Sequence, residues 1–171
     1  MNIVLRPLKL SDWHLVASIE LDAEQERFAG GDMDAIFLAL QTSNFSEALH
    51  PFAIVADADV VGFYVLREGP ALPAWASKDA VTLHSFRVSR SQQGKGYGTV
   101  GLKLAARWIA ANRPEIQQLM LTVNADNPDA SALYLHCGFR ATGVIFKGRI
   151  GQERVLACEI DALSRHSGQP E

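Results

Sequence analysis

The chain has 171 residues, 48% apolar and 20% charged, with a formal net charge of −3. That balance suits one soluble domain with a buried core and excludes a disordered or fibrous chain. No apolar run approaches the ~18–20 residues that cross a bilayer, and no basic-then-apolar leader with a cleavage site opens the chain. Two cysteines, Cys137 and Cys158, make neither a disulfide framework nor a metal cluster. The expected location is the cytoplasm, with no metal and no membrane partner. The charge is divided, with 12 acidic against 5 basic residues in 1–80 and 7 against 11 in 81–171. The basic half suits a polyanionic ligand and the acidic half a cationic one.

In chain order, residues 3–8 read as a strand. Ser11 or Asp12 can cap a helix to about Leu21, with Trp13, Val16, Ala17 and Glu20 at helical spacing. Asp32 or Asp34 can cap a second helix over about 35–45, burying Ile36, Phe37 and Leu40. Residues 52–56 and 60–66 are strands about the turn Asp57-Ala58-Asp59. A loop follows over 69–79, holding Pro70, Pro73 and Trp75, then a strand over 81–88.

Gln93-Gly94-Lys95-Gly96-Tyr97-Gly98 joins that strand to a helix over 99–112, with Val100, Leu104, Ala105, Trp108 and Ile109 on one face. Residues 118–123 are a strand. Asn127-Pro128-Asp129 starts a helix that Gly138 stops. A hairpin over 139–147 and 154–160 closes the domain, assigned to residues 1–163, and 164–171 form a frayed tail. The order β-α-α-β-β-β-α-β-α-β-β describes an α/β (α+β) domain with a mixed sheet of six or seven strands and about four helices. Its central β-α-β unit is a right-handed crossover.

A glycine-rich turn entering a helix is an anion cradle, because its N–H groups are unpaired and the helix dipole adds positive potential. The turn lacks the Walker A spacing. It is also a poor dinucleotide fingerprint, since Thr99 stands where a third glycine belongs.

Two features raise its specificity. The spacing is Gln93-x-x-Gly96-x-Gly98 after Phe86-Arg87-Val88, and about 30 residues later comes Asn127-x-x-Ala130-x-x-Leu133-Tyr134-x-x-x-Gly138-Phe139. Together they resemble the GNAT superfamily of acyl-CoA-dependent N-acyltransferases, strongly over residues 80–147. The motifs at 86–98 and Glu153-Arg154-Val155 look most like bacterial enzymes that acetylate polyamines and similar small amines.

The resemblance implies acetyl-CoA as the acyl donor. Backbone amides of Gly94, Lys95, Gly96, Tyr97, Gly98 and Thr99 would hold its pyrophosphate. Glycine at 96 and 98 would serve close approach or an unusual backbone angle. Lys95 either touches phosphate or is solvated, and Gln93 either braces the loop or faces outward. Phe86, Arg87 and Val88 would offer main chain to the pantetheine arm, which completes the sheet between splayed strands. Asn127 touches the arm, caps its helix, or both.

Tyr134 is the expected acid toward the leaving thiolate, its rival reading being a core tyrosine. His84 is the candidate base, expected on the face of Phe86 and Val88, and also lines the acceptor site. A structural histidine is equally compatible with it. The cluster Glu20, Asp22, Glu24 and Glu26 would wall the acceptor site, with Glu24 touching the amine, or form a solvated helix face.

Two departures bear on the substrate. His84 stands where polyamine enzymes carry an acid, and Thr122 where some protein N-terminal acetyltransferases carry a glutamate. The leading expectation is direct acetyl transfer to a small primary amine, in a chain that is a possible homodimer. Acetylation of a protein N-terminus or lysine, and a non-catalytic acyl-CoA sensor, are the alternatives. Nucleic-acid binding is not expected, since no basic stretch carries interleaved aromatics.

Overall fold

The computed structural model describes residues 1–165. Seven strands form one mixed sheet: β1 (Ile3–Pro7), β2 (Leu49–Ala56), β3 (Asp59–Arg67), β4 (Ala80–Val88), β5 (Gln118–Asn124), β6 (Arg140–Gly148) and β7 (Gly151–Glu159). Their order is β1-β2-β3-β4-β5-β7-β6, with every neighbouring pair antiparallel except β4 and β5. The α-helices are α1 (Ala23–Phe28), α2 (Met33–Thr42), α3 (Tyr97–Asn112), α4 (Pro128–His136) and α5 (Ile160–Arg165).

Two layers cover the sheet. On one face α3, α4 and α5 bury Leu102, Ile109, Tyr134 and Leu163 against Tyr64, Leu83, Leu121 and Leu156. On the other, α2 and the chain before α1 bury Val16, Ile36, Phe37 and Leu40 against Phe63 and Val65. A smaller cluster of Ala80, Met120, Val155 and Ala157 packs under Trp75 on that second face.

The first expected helix is absent. Residues 13–15 make a single 3₁₀ turn, and Val16 and Ile19 continue in tight turns bonded to the third residue back. The Asp12 carboxylate accepts from Lys9 N–H instead of capping a helix. The segment is tied to the far side of the site by Glu20 O, which accepts from Arg90 N–H at 2.7 Å. Helix starts at α1 instead, where Asp22 and Gln25 form a reciprocal capping box. Trp13, expected at helical spacing with Val16, is 47% exposed.

Asp32, one of two candidates, caps α2 through Ala35 N–H. The buried stripe of α3 is rotated from its expected position and runs through Gly101, Leu102, Ala105, Ala106 and Ile109, with Val100, Leu104 and Trp108 at its margin. Gly101 lies within that stripe, where a Cβ would meet Ile54 Cδ1 at 2.6 Å and the carbonyl accepts from the Tyr64 hydroxyl at 2.9 Å. The expected tail is helical through Arg165, with Ile160 and Leu163 buried; residues 166–171 lie outside the described residues.

Two features of β4 position the site. It pairs with β5 only at Ala80–Gln118, Val81–Leu119 and Thr82–Met120, after which the strands part. It also carries a bulge against β3, where the register shifts between Phe63 and Val65 and Ser85 takes φ +59°. A bulge reverses the side-chain alternation beyond it. Val81 and Leu83 face the α3 layer, and beyond the bulge so do Phe86 and Val88. His84 therefore lies on the opposite face from Phe86 and Val88, not on theirs as simple alternation predicts.

Gly62 pairs with Val88 on β3 beside this bulge, and a Cβ there would meet Arg87 O at 2.8 Å and Ile54 Cδ1 at 2.9 Å. Gly62→Ala is expected to destabilise the domain by about 1–3 kcal/mol through overpacking. An unchanged urea midpoint would show that the sheet yields there freely.

Candidate active site

A cavity of about 860 Å³ occupies the gap between β4 and β5 and opens toward the N-termini of α3 and α4. Three groups of residues build it.

The first is the glycine turn. Gly94 and Gly96 adopt φ +78° and +85°. A Cβ at either would meet nothing within 4 Å, so the left-handed backbone rather than crowding requires glycine here. At Gly98 crowding does count, since a Cβ would lie 3.1 Å from Leu133 and 3.6 Å from Phe86. Gly96 is the N-cap of α3 and supplies no side-chain cap, so the N–H groups of Tyr97, Gly98 and Thr99 open toward the cavity without an intrahelical partner. The Gln93 amide donates to Val88 O at 2.9 Å and bonds Gln25, which braces the turn against β4 and α1. Lys95 bonds Gln92 and lies outside the cavity lining.

The second group faces the α3 layer. Tyr134 projects from α4 beside Phe86 and Phe139, at centroid distances of 6.3 and 5.7 Å. The residue is 7% exposed, and no group among the described residues bonds its hydroxyl. Burial, reinforced by Cys137, raises its pKa above the ordinary phenol value, so the proton stays on at any physiological pH. Asn127 lines the cavity and caps α4 through Ala130 N–H at 3.4 Å.

The third group lies on the opposite sheet face. His84 bonds Thr82 Oγ1 through Nε2 at 2.7 Å, with the Trp75 ring 6.1 Å away. Burial, and then the nearby Arg67 cation, lower its pKa to about 3. Glu153 on β7 approaches Thr122 Oγ1 at 3.5 Å. Burial raises the Glu153 pKa, against the opposing effects of Thr122 and Arg149. Its carboxylate rests on Gly148, where any Cβ would displace it.

Arg87 lines the cavity, but its side chain is buried and donates to Ser85 O, Gly31 O and Ala29 O. It clamps residues 29–31 against β4. Glu24 is exposed and outside the lining, as are Glu20 and Asp22, and Glu26 is half-buried and outside it too. Asp22 caps α1 and Glu24 and Glu26 stand in its first turn, where they suit its N-terminus rather than wall the cavity.

Residues 13–139, about three quarters of the chain, match the acetyltransferase (GNAT) family. The chain belongs to the GNAT family of acetyltransferases. YbbJ of Bacillus subtilis (strain 168), an uncharacterized N-acetyltransferase, is 28% identical over 140 residues, covering 78% of this chain and 88% of its own. The aminoglycoside acetyltransferase AAC(6')-Ib, solved with acetyl-CoA, superposes with a TM-score of 0.77 at 15% identity, over 99% of this chain and 100% of its own. Spermidine N-acetyltransferase from Vibrio cholerae, solved with CoA and spermine, gives 0.70 at 16% identity, over 94% and 97%. The mixed seven-stranded sheet is the GNAT fold, and this GNAT protein is an acyl-CoA-dependent N-acetyltransferase that uses acetyl-CoA. The residues fit that donor: an uncapped helix N-terminus with two left-handed glycines faces the same cleft as the free edge of β4.

Among the described residues no cluster of His, Cys, Asp or Glu is placed to hold a metal, and no helix is long and apolar enough to cross a membrane. Arg67 and Glu153 are among the cavity residues that have no role in the sequence reading. Both fall at the ends of strands that extend further than expected. Their alternation with Val65 and Val155 is the signal that places them inward.

A histidine held neutral by the fold makes stability depend on pH with a definite sign. The folded pKa of His84 lies below the ordinary 6.5. Its contribution is therefore complete above about pH 6.5 and is lost toward pH 3, where the unfolded chain binds the extra proton. His84→Gln should flatten the fall in urea midpoint between pH 6.5 and 4. An unaltered slope would mean that His84 protonates freely in the folded state.

Proposed function

We propose that this enzyme transfers acetyl from acetyl-CoA to the primary amine of a small molecule by direct attack in a ternary complex. One observation carries the reading. The gap between β4 and β5 joins a phosphate cradle, an unpaired strand edge, the Tyr134 hydroxyl and the Glu153 carboxylate in one cavity.

Backbone N–H groups at 96–99 receive the pyrophosphate, and the free edge of β4 receives the amides of the pantetheine arm as an added strand. A β4 amide donates to the carbonyl oxygen as it gains charge. The donor supplies a thioester, so the amine nitrogen bonds to the acetyl carbon, the carbon–sulfur bond breaks, and sulfur leaves with the electron pair. Tyr134 donates its proton toward that sulfur.

The amine must first lose a proton. An alkylammonium of pKa about 10.4 resists this by about 4–5 kcal/mol at pH 7. Glu153 is the better acceptor of it, directly or through one water, because burial raises its basicity while His84 is held neutral with little affinity for a proton. His84 then orients rather than titrates, through its bond to Thr82. Orientation in the ternary complex supplies the rest of the acceleration, without an acyl-cysteine, and both cysteines are buried.

Tyr134→Phe is expected to lower kcat by about 100-fold while acetyl-CoA affinity changes little. Glu153→Gln should remove the acidic limb of the pH–rate profile. Gly148→Ala, which swings the same carboxylate aside, should weaken that limb, and His84→Ala should preserve it. Near-wild-type turnover in Tyr134→Phe would remove the acid role. Loss of the limb in His84→Ala alone would return the base to His84.

A further inference from the structure

We propose that Arg67 receives a carboxylate of the acceptor, so that the preferred acceptor is an amine that also carries a carboxylate group. The inference rests on the cleft being the acceptor site, as proposed above, and narrows the substrate class.

Arg67 ends β3, pairs with Thr82 of β4 and lines the cavity on the face that carries Val65 and His84. Its Nε is buried and has no hydrogen-bond partner, and no ion pair reaches its guanidinium among the described residues. The other inward arginine is provided for, since Arg87 donates to three carbonyls. Arg113, on the outside, donates twice to Glu68 at 2.8 and 3.1 Å. A half-buried guanidinium whose buried Nε has no partner is costly, and its planar fork matches a carboxylate bidentately.

The surroundings select the same chemistry. The cavity is lined by Arg27, Arg67, Arg87 and Arg149 against two acids, Asp129 and Glu153. Glu153 lies across the cleft beside Thr122, and Asp129 sits in the first turn of α4. His84, on the same sheet face as Arg67, is neutral and offers it no counter-charge. A polycation entering this space would meet arginines, and Glu20, Asp22, Glu24 and Glu26 lie outside the lining. A cation at Arg67 also disfavours the ammonium form of the acceptor, which helps release the proton that Glu153 takes.

The test is thiol release from acetyl-CoA with amino acids, each beside its own C-terminal amide, and with spermidine and kanamycin. The wild type, Arg67→Gln and Arg67→Lys are compared, and melting curves confirm that each variant folds. The free acids should exceed their amides at least tenfold in kcat/KM. That ratio should fall toward one in Arg67→Gln through KM and recover in part in Arg67→Lys, with acetyl-CoA affinity constant throughout. Amides or spermidine acetylated as well as the acids, or a ratio that survives Arg67→Gln, would overturn the assignment.

Tyr134-dependent acetylation of spermidine without preference for acids would remove this inference and leave the reaction standing. Acetylation of no amine would remove the reaction. Arg67 is then judged by whether the acids raise the melting temperature more than their amides do, and an equal rise in the wild type overturns its role.

Discussion

The parting of β4 from β5 is the constraint on which the rest of the molecule depends. The two strands run parallel for three residue pairs and then separate in the middle of a sheet. Backbone groups in a sheet interior are seldom left unpaired. Here the separation is held open from both sides. On one side α3 and α4 bring Gly98 and Leu133 together at the mouth of the gap. On the other, the Arg87 side chain ties residues 29–31 across β4. The cavity is thus a built feature of the packing, and its free strand edge asks for a partner with alternating donors and acceptors.

The bulge at Ser85 divides the work between the two faces of the sheet. Without it His84 and Phe86 would share a face. With it, Phe86 joins Tyr134, the proposed acid, beneath the α3 layer. His84, Arg67, Thr122 and Glu153 gather on the far face, the side proposed for the acceptor. A non-glycine residue at φ +59° costs about 1–2 kcal/mol. Strain of that kind persists where the surroundings enforce it, as the β3 register and the Arg87–Ser85 contact do here.

Much of this arrangement is legible in the residues. The glycine turn, the Asn127-Pro128 helix start, the Gly138 stop and the crossover between β4 and β5 follow from local chemistry, and the structure holds each of them. The losses have physical causes. Residues 12–21 carry helical spacing, yet long-range ties from Glu20 to Ser89 and Arg90 outweigh it, and Asp22 with Gln25 starts the helix later. The bulge has no glycine to announce it, so alternation along β4 gives the wrong face for His84. Glu153 and Arg67 sit where strands outrun their apolar cores, and residue type alone does not show that Arg67 lacks an anion. The acids before and within α1 suggest a cationic acceptor by count, while their positions serve the helix.

Hydrogen–deuterium exchange with and without CoA tests the central claim most directly. If the donor completes the sheet, CoA will slow exchange at the amides of residues 84–88 on β4 and 94–99 at the turn. Residues of β6 and α2 should be left unchanged. Protection at the turn alone, with β4 exchanging as before, would mean that the phosphates are held but the gap between the strands is not where the arm lies.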